Sequence, residues 1–345
     1  MLNIVIPAYE PDNKLLTLID SLKSRPDFGR ELNILIVNDG SSPNYNRIFS
    51  EAARKGCSLL THEKNLGKGA ALKTAFSHLI ETGYQGFIVC ADCDGQHRPE
   101  DIQKVAASLP GNTNSLVLGC RDFVGKVPLK SRLGNLLTGA IYSFISGQNL
   151  KDTQTGLRAF SSELLPWLVS IKGSRYEYEM NQLLEAKGAH VKLCCVPIET
   201  VYENKNSGSH FHPVRDSIRI YLPILKYLLS SLMAGGIDFI LLFLFMKLSD
   251  SLLFSVIAAR VISSAVNFFC NKILVFEKKE LSLKESLVKY YLLAAFILLC
   301  NYTLIHFFTY VVHMPLLAGK ILTEIILFFF GYQIQRLYIF RKEYA

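Results

Sequence analysis

Four apolar segments close this chain: roughly Leu229–Leu248, Leu252–Phe276, Leu287–Val312 and Leu316–Phe340. Each can cross a hydrocarbon core, which takes about 20 residues. In lipid every backbone N–H and C=O must be satisfied within the spanning structure, and segments this long do so as helices. The last third, residues 228–345, is thus predicted to be an all-α transmembrane domain of four helices. These segments account for a composition that is 50% hydrophobic and 19% charged, because residues 1–225 have the makeup of a soluble α/β protein.

Basic residues orient the bundle. Lys278, Lys279 and Lys284 lie between the second and third segments, and Arg341 and Lys342 follow the fourth. The outer links, Ser249-Asp250-Ser251 and Val312-His313-Met314-Pro315, carry no Lys or Arg. The positive-inside rule therefore puts both termini in the cytosol. Met1-Leu2-Asn3-Ile4 already reads as a strand rather than a signal peptide, so the first domain is expected to be cytosolic and the whole an integral protein of a bacterial-type inner membrane. The net charge of +8 follows from these flanks, with attraction for anionic lipids and phosphorylated substrates added. Nucleic acid is not an expected partner: there is no basic helix with interleaved aromatics and no zinc-finger spacing.

Between the two halves, residues 213–227 read as a juxtamembrane amphipathic helix. Ile218, Tyr221, Leu222 and Leu225 share one face, with Arg215, Arg219 and Lys226 elsewhere around it. An ordinary surface helix has the same pattern. The second and fourth segments end alike, Asn267-Phe-Phe-Cys-Asn-Lys272-Ile-Leu-Val-Phe276 and Gly331-Tyr-Gln-Ile-Gln-Arg336-Leu-Tyr-Ile-Phe340. Two similar hairpins packed as a bundle explain this, as does a plain belt of bases and aromatics at inward-facing ends. Asp238, Arg260, Lys320 and Glu324 fall inside spans, where charges mark pathways or pair with one another; Arg260 with Glu324 is one such pairing.

Residues 1–212 alternate strand and helix patterns: strands at Asn3–Pro7, Leu32–Val37, Cys57–His62, Gly86–Cys90 and Leu116–Gly119, helices at Lys14–Ser24, Asn46–Lys55 and Gly69–Glu81, and another starting at Pro99. This is the rhythm of an open, mostly parallel sheet, in which ligands bind beyond the carboxyl ends of the strands. Asp39, Asp92, Asp94 and Arg121 all fall at such ends. Cys90 and Cys93 form a lone C-x-x-C, but Asp92 and Asp94 beside them disfavour a thiolate, and all eight cysteines read as reduced.

Asp92, Asp94 and Gln96 place two carboxylates and an amide oxygen at alternating positions on a Gly-containing turn. That suits a hard cation with a diphosphate beside it, Mg2+ or Mn2+ alike. The same acids could instead cap the helix that follows. Asp39 offers a carboxylate to a nucleobase or ribose, or closes an Asx turn on its own backbone. Asn65-Leu66-Gly67-Lys68-Gly69-Ala70 opens a helix with small residues whose N–H groups favour phosphate, and Lys68 adds charge. Arg121, Ser131 and Arg132, with Arg158 in Asp152-Thr-Gln-Thr-Gly-Leu-Arg158, are candidates for a second phosphate, whereas Lys126 and Lys130 read as solvated surface. Glu177 and Glu179 sit at a helix start, where either could be structural, and His210-x-His212 could bind metal but better suits phosphate contact or plain loop chemistry.

Taken in order, Ile6-Pro7-Ala8-Tyr9, Asn38-Asp39-Gly40-Ser41, Asn65-Leu-Gly-Lys-Gly69, Ala91-Asp-Cys-Asp-Gly-Gln-His-Arg-Pro-Glu100 and Gln154-Thr-Gly-Leu-Arg158 resemble the family-2 glycosyltransferases, closest to the branch of dolichol-phosphate mannose synthase and bactoprenol glucosyltransferases. The likeness covers residues 1–212, and the four spans resemble the GtrA-like membrane family. The resemblance implies a Rossmann-like GT-A fold. Pro7, Tyr9, Glu10, Asp39, Lys68 and Asp92 would hold the donor nucleotide; Asp92, Asp94 and Gln96 the metal; Arg121, Ser131, Arg132 and Arg158 the acceptor phosphate, with Asp92, Asp94 and Arg121 closest to the chemistry. Two departures stand out: the usual Tyr-Asn-Glu is Tyr9-Glu10-Pro11, and the usual double Asp is Asn38-Asp39.

The implied reaction moves a sugar from a nucleotide-sugar, a UDP-sugar or GDP-mannose, to a membrane polyprenyl phosphate. The lipid phosphate is largely ionised near neutral pH and is already a nucleophile, so a single displacement with inversion suffices. Homo-oligomerisation is left open. The rival readings are a GtrA-type transporter or scaffold for lipid-linked sugars and a processive polysaccharide synthase. The latter carries Gln-x-x-Arg-Trp, whereas the lone Trp167 here sits in Leu164-Leu-Pro-Trp-Leu168.

Overall fold

The structure, a computed structural model, describes residues 2–25, 32–109, 114–121, 139, 142–143, 146, 148–150, 152–199, 213–249, 251–276 and 282–340. The chain divides into two compact units, Met1–Ser217 and Ile218–Ala345.

The first unit is built on a seven-stranded sheet. In chain order the strands are β1 (Leu2–Ala8), β2 (Leu32–Asn38), β3 (Ser58–Thr61), β4 (Phe87–Cys90), β5 (Ser115–Arg121), β6 (Arg158–Ser161) and β7 (Lys192–Ile198). Across the sheet they lie β3-β2-β1-β4-β6-β5-β7. All neighbours are parallel except β6, which runs antiparallel between β4 and β5. This is the mostly parallel, GT-A-like sheet the sequence pattern implies. The crossing helices are α1 (Lys14–Lys23), α2 (Asn46–Arg54), α3 (Lys68–Glu81), α4 (Pro99–Ala107), α5 (Leu165–Ser170) and α6 (Glu177–Ala186).

Alternate strand residues feed the two faces. Ile4, Ile6, Ile34, Ile36, Val89, Val117 and Ala159 share one core with Leu15, Leu18, Ile19 and Leu22 of α1 and Ile102 and Val105 of α4. On the opposite face α3 packs on β1 and β2, and its Phe76 meets Phe160 of β6 edge to face at 5.3 Å. Pro7 is tolerated inside β1 because the ladder with β4 ends at the Val5–Cys90 pair, before its missing N–H matters.

One expectation is corrected here. Cys120 and Cys195 are joined as a disulfide, with their Cα atoms 5.6 Å apart, while the other six cysteines are free. β5 and β7 pair in parallel with Leu118 opposite Cys195, which sets the two cysteines on one face, two residues out of register. Nothing in a sequence separation of 75 residues shows that.

Among its described residues the second unit holds four helices long and apolar enough to cross a membrane: Ile224–Ser249, Phe254–Val275, Leu283–Val311 and Leu316–Ile334. The first belongs to a continuous helix, α7, from Pro213 to Ser249, so the amphipathic segment and the first span form one helix rather than two. The others are α8 (Leu252–Cys270), α9 (Leu283–His306) and α10 (Leu316–Ile334).

The repeated ends of α8 and α10 correspond in structure. Each helix is followed by a wider π-helical turn, Asn271–Val275 and Gln335–Ile339, and residues 64 apart match throughout. Asn271 Nδ2 donates to Gln335 Oε1 at 3.0 Å and to Asn267 Oδ1 at 2.9 Å. Gln335 Nε2 donates to the Tyr227 hydroxyl at 2.9 Å, and the Tyr290 hydroxyl to Asn267 Oδ1 at 2.8 Å. Phe276 stacks on Phe340 at 5.1 Å. One polar network thus ties all four spans, with the repeat-related pair Asn271 and Gln335 bonded to each other. The intramembrane charges pair differently from the expected Arg260–Glu324. Arg260 lies 3.3 Å from Asp238, while Glu324 takes Lys320 at 2.5 Å, one helical turn away, and accepts from Asn301 at 3.0 Å.

Candidate active site

The ends of β1, β2 and β4 are held together by their loops. At the end of β2, Asn38 Oδ1 accepts the Ser41 N–H at 2.9 Å, and Ser41 Oγ accepts the Glu10 N–H at 2.8 Å from the loop after β1. Tyr9 and Glu10 are thereby fixed next to the β2 turn.

Asp39 is 3% exposed. Its Oδ1 accepts the Leu66 N–H at 2.9 Å and lies 2.8 Å from His62 Nδ1; its Oδ2 accepts the Gly67 N–H at 2.8 Å. His62 Nε2 in turn meets Thr74 Oγ1 at 2.8 Å. The carboxylate therefore closes no Asx turn on its own backbone: it clamps the loop that opens α3. Two of the loop amides expected to face phosphate, those of Leu66 and Gly67, are turned inward onto Asp39, and the loop leads directly into Lys68, whose side chain is largely buried.

Lys68 Nζ lies 2.6 Å from Asp92 Oδ1 and 3.0 Å from Glu179 Oε1. Burial alone would lower its pKa; the two carboxylates more than offset this and hold the ammonium above its ordinary range. Asp92 follows β4. Burial raises its carboxyl, but Lys68 first, then His97 and Arg121, bring it down to about 2, so it is ionised at any working pH. Its N–H donates to His97 Nδ1 at 3.1 Å. Asp94 is pushed up instead, by burial and then by the charge of Asp92. Asp94 Oδ1 accepts the Gln96 N–H at 3.0 Å across Gly95, whose φ of +78° only glycine adopts freely. Cys93 between them is pushed up to about 12 by burial and then by both carboxylates, which fits the reading that this C-x-x-C is not a redox pair.

Gly156 lies against this centre. A Cβ there would collide with Asp92 Oδ2 and stand 2.7 Å from Lys68 Nζ. Two residues on, Arg158 is 2% exposed. Its Nη1 donates to the Glu179 carbonyl at 2.7 Å and to Gln182 Oε1 at 2.6 Å, its Nε to the Thr155 carbonyl at 3.1 Å, and Nε lies 4.0 Å from Glu179 Oε1. Arg158 thus sits under the site, bonded to the protein, rather than open to an acceptor phosphate as the motif implied: starting the inserted strand β6 turns its side chain toward α6. Arg121, at the end of β5, is held by the fully buried Asp152 and remains 21% exposed. Ser131 and Arg132 lie outside the described residues, as do Lys126, Lys130, His210 and His212.

Asp92, Asp94, Lys68 and Gly156 therefore share one centre, and Asp39 supports it from behind. Glu179 and Asp152, which sequence reasoning left aside, hold Lys68 and Arg121. Their signals were present, an acid at the start of a helix pattern and an acid opening the Asp152–Arg158 motif, but each pattern is common on its own. Among the described residues no three His, Cys, Asp or Glu side chains converge as a metal cluster.

Residues 3–165 match Glycosyl transferase family 2, and residues 226–340 match GtrA/DPMS, transmembrane domain. A UDP-N-acetylglucosamine–dolichyl-phosphate N-acetylglucosaminyltransferase from Methanococcus voltae is 30% identical over 221 residues, covering 59% of this chain and 86% of the relative. The chain belongs to glycosyl transferase family 2. A dolichyl-phosphate beta-glucosyltransferase from Trichomonas vaginalis is 26% identical, covering 56% of this chain and 62% of the relative. A solved structure of glucosyl-3-phosphoglycerate synthase from Mycobacterium tuberculosis is 18% identical, with a TM-score of 0.49, covering 67% of this chain and 78% of that one. This glycosyltransferase is also a membrane protein, its family-2 region followed by a GtrA/DPMS transmembrane domain with four helices, among the described residues, long and apolar enough to span.

Proposed function

We propose that the enzyme transfers a sugar from a nucleotide-sugar, a UDP-sugar ahead of GDP-mannose, to a polyprenyl phosphate at the membrane surface. The observation that carries this is the coupling, in one chain, of the Asp92–Lys68–Asp94 centre to a GtrA/DPMS transmembrane domain. Two relatives are named for dolichyl-phosphate acceptors, and the donor of one is UDP-linked. The catalytic unit faces the cytosol, the side of the Lys- and Arg-rich links.

A divalent cation fits the donor set. Asp92, Asp94 and Gln96 offer hard oxygens but too few for a full cage, which suits Mg2+ or Mn2+ held by one or two carboxylates and completed by substrate phosphates and water. Asp94, pushed up by burial and then by the charge of Asp92, also gains from a cation shared with it. Bound there, the ion would neutralise the leaving diphosphate. Tyr9, Glu10 and the Asp39-clamped loop border the donor, and Lys68 lends positive charge beside it. Arg121, aimed by Asp152, meets the acceptor phosphate. The lipid phosphate oxygen attacks the sugar carbon from the face opposite the leaving group, so the sugar inverts and no glycosyl-enzyme forms.

The test incubates membranes holding the full chain with polyprenyl phosphate, Mn2+ or Mg2+ and a panel of labelled nucleotide-sugars. Label extracted into lipid, dependent on metal and lost in Asp94→Asn, is the expected result and names the donor. No labelled lipid with any donor, from folded protein, overturns the proposal.

A further inference from the structure

Lys68 is shared between two carboxylates that belong to different parts of the site. On one side is Asp92, 2.6 Å away at the end of β4; on the other is Glu179, 3.0 Å away in the first turn of α6. Behind Glu179 lies Arg158, 4.0 Å from the same Oε1 and fully buried. The charges alternate Asp92, Lys68, Glu179, Arg158, and each internal member has a partner on both sides. The arrangement is tight, because Gly156 leaves no room for a Cβ between Asp92 and Lys68.

This has a consequence for any cation that comes to Asp92. A metal and an ammonium compete for the same carboxylate oxygens, and in an occluded site two positive charges at that distance repel strongly. A lysine whose sole anchor was Asp92 would have to be expelled into water. Here a second carboxylate is already in contact, so Lys68 can yield Asp92 and keep a counter-charge with a small swing of its Nζ.

We propose that Lys68 is a built-in surrogate cation. It neutralises Asp92 while the site is empty and gives the carboxylate up to the entering metal, and Glu179 is the positioning residue that receives it. The inference rests on the metal reading given under Proposed function. It assigns Glu179 a role in metal exchange and explains why an ammonium occupies an oxygen the metal would use. Once swung to Glu179, Lys68 remains beside the diphosphate and adds to its neutralisation.

The test reads metal binding without donor or lipid, so it is independent of transferase activity. The purified full chain in detergent is titrated with Mn2+, and free Mn2+ is followed by electron paramagnetic resonance. Lys68→Met removes the competitor and should tighten donor-free Mn2+ binding by about tenfold, the scale of one charge-assisted contact, even as sugar transfer falls. Glu179→Gln removes the receiving carboxylate and should weaken Mn2+ binding by a similar factor. The double variant Lys68→Met/Glu179→Gln should return to the tight binding of Lys68→Met, a rescue that a purely structural Glu179 does not give. Lys68→Met leaves Glu179 paired with Arg158, so it keeps the test decisive should Glu179→Gln fold poorly. Equal or weaker Mn2+ binding by Lys68→Met overturns the surrogate-cation proposal alone. No Mn2+ binding by either wild type or Lys68→Met overturns it together with the metal reading.

Discussion

Arg121 and Asp152 meet at two points: Nε to Oδ2 at 2.6 Å and Nη2 to Oδ1 at 3.0 Å, with the Arg121 backbone N–H also donating to Oδ2 at 3.2 Å. The aspartate is fully buried and the arginine 21% exposed, so the carboxylate fixes the plane of a guanidinium that still reaches the surface of the site. Asp152→Asn keeps the shape but removes the charge and one acceptor. It should raise the KM for polyprenyl phosphate by about tenfold or more, with the KM for the nucleotide-sugar unchanged. A donor KM that rises equally would show that Arg121 does not serve the acceptor.

Asp39 satisfies two loop amides and touches His62, so its loss is predicted to act first on stability. Asp39→Ala leaves the Leu66 and Gly67 N–H groups without their acceptor. The expected cost is about 1–3 kcal/mol, read by urea unfolding through Trp167, the single tryptophan, which lies in the same unit. A change under about 0.5 kcal/mol, the usual range of surface substitutions, would show that the loop does not need the clamp.

The sheet and its ligand edge are legible in the sequence because hydrophobic runs of period two and their terminal acids are local signals. What the sequence hides is pairing at a distance. β6 is four residues long and begins with a charge, so only the gap between β4 and β5 reveals it, and its insertion is what turns Arg158 inward. Asp39 is identifiable from its place after β2, but its partners come from a loop 27 residues on, so its role as a clamp on that loop is not legible locally. In the membrane unit the repeat is visible as Asn267–Phe276 against Gly331–Phe340. That Asn271 bonds Gln335 follows only once the two helices are side by side.

Gly156 tests how closely Asp92 and Lys68 must approach. Gly156→Ala places a methyl group on Asp92 Oδ2 and near Lys68 Nζ, so one or both must move. Displacement of about 1 Å in a catalytic centre can lower turnover about a hundredfold. The expected outcome is that loss in kcat with an unchanged far-ultraviolet circular dichroism spectrum; near-normal turnover would show the centre is loose.

Asn271 is fully buried, and its side chain bonds both halves of the membrane repeat. Asn271→Leu removes two interhelical or inter-turn hydrogen bonds and leaves Gln335 Oε1 without that donor. Such bonds in spans are each worth roughly 0.6–2 kcal/mol, so destabilisation by about 1–3 kcal/mol is expected. Graded unfolding in mixed detergent–dodecyl sulfate micelles measures it. An unchanged midpoint would reduce the network to incidental contact.

Cys93 carries a pH prediction of definite sign. Its folded pKa of about 12 lies above that of an unfolded thiol because burial and the charges of Asp92 and Asp94 oppose the thiolate. Below pH ~8.5 the thiol is neutral in both states and contributes nothing to the pH dependence of folding. Between that value and about 12 the unfolded chain loses the proton first, so the folded state is progressively disfavoured as pH rises. At pH 8 almost no thiolate exists in the folded enzyme, and iodoacetamide should modify Cys93 at least a hundredfold more slowly than in urea, on the order of the drop in thiolate fraction. Peptide mass spectrometry of timed samples measures both rates. Equal rates would place a reactive thiolate between the two acids and reopen a redox role for Cys90 and Cys93.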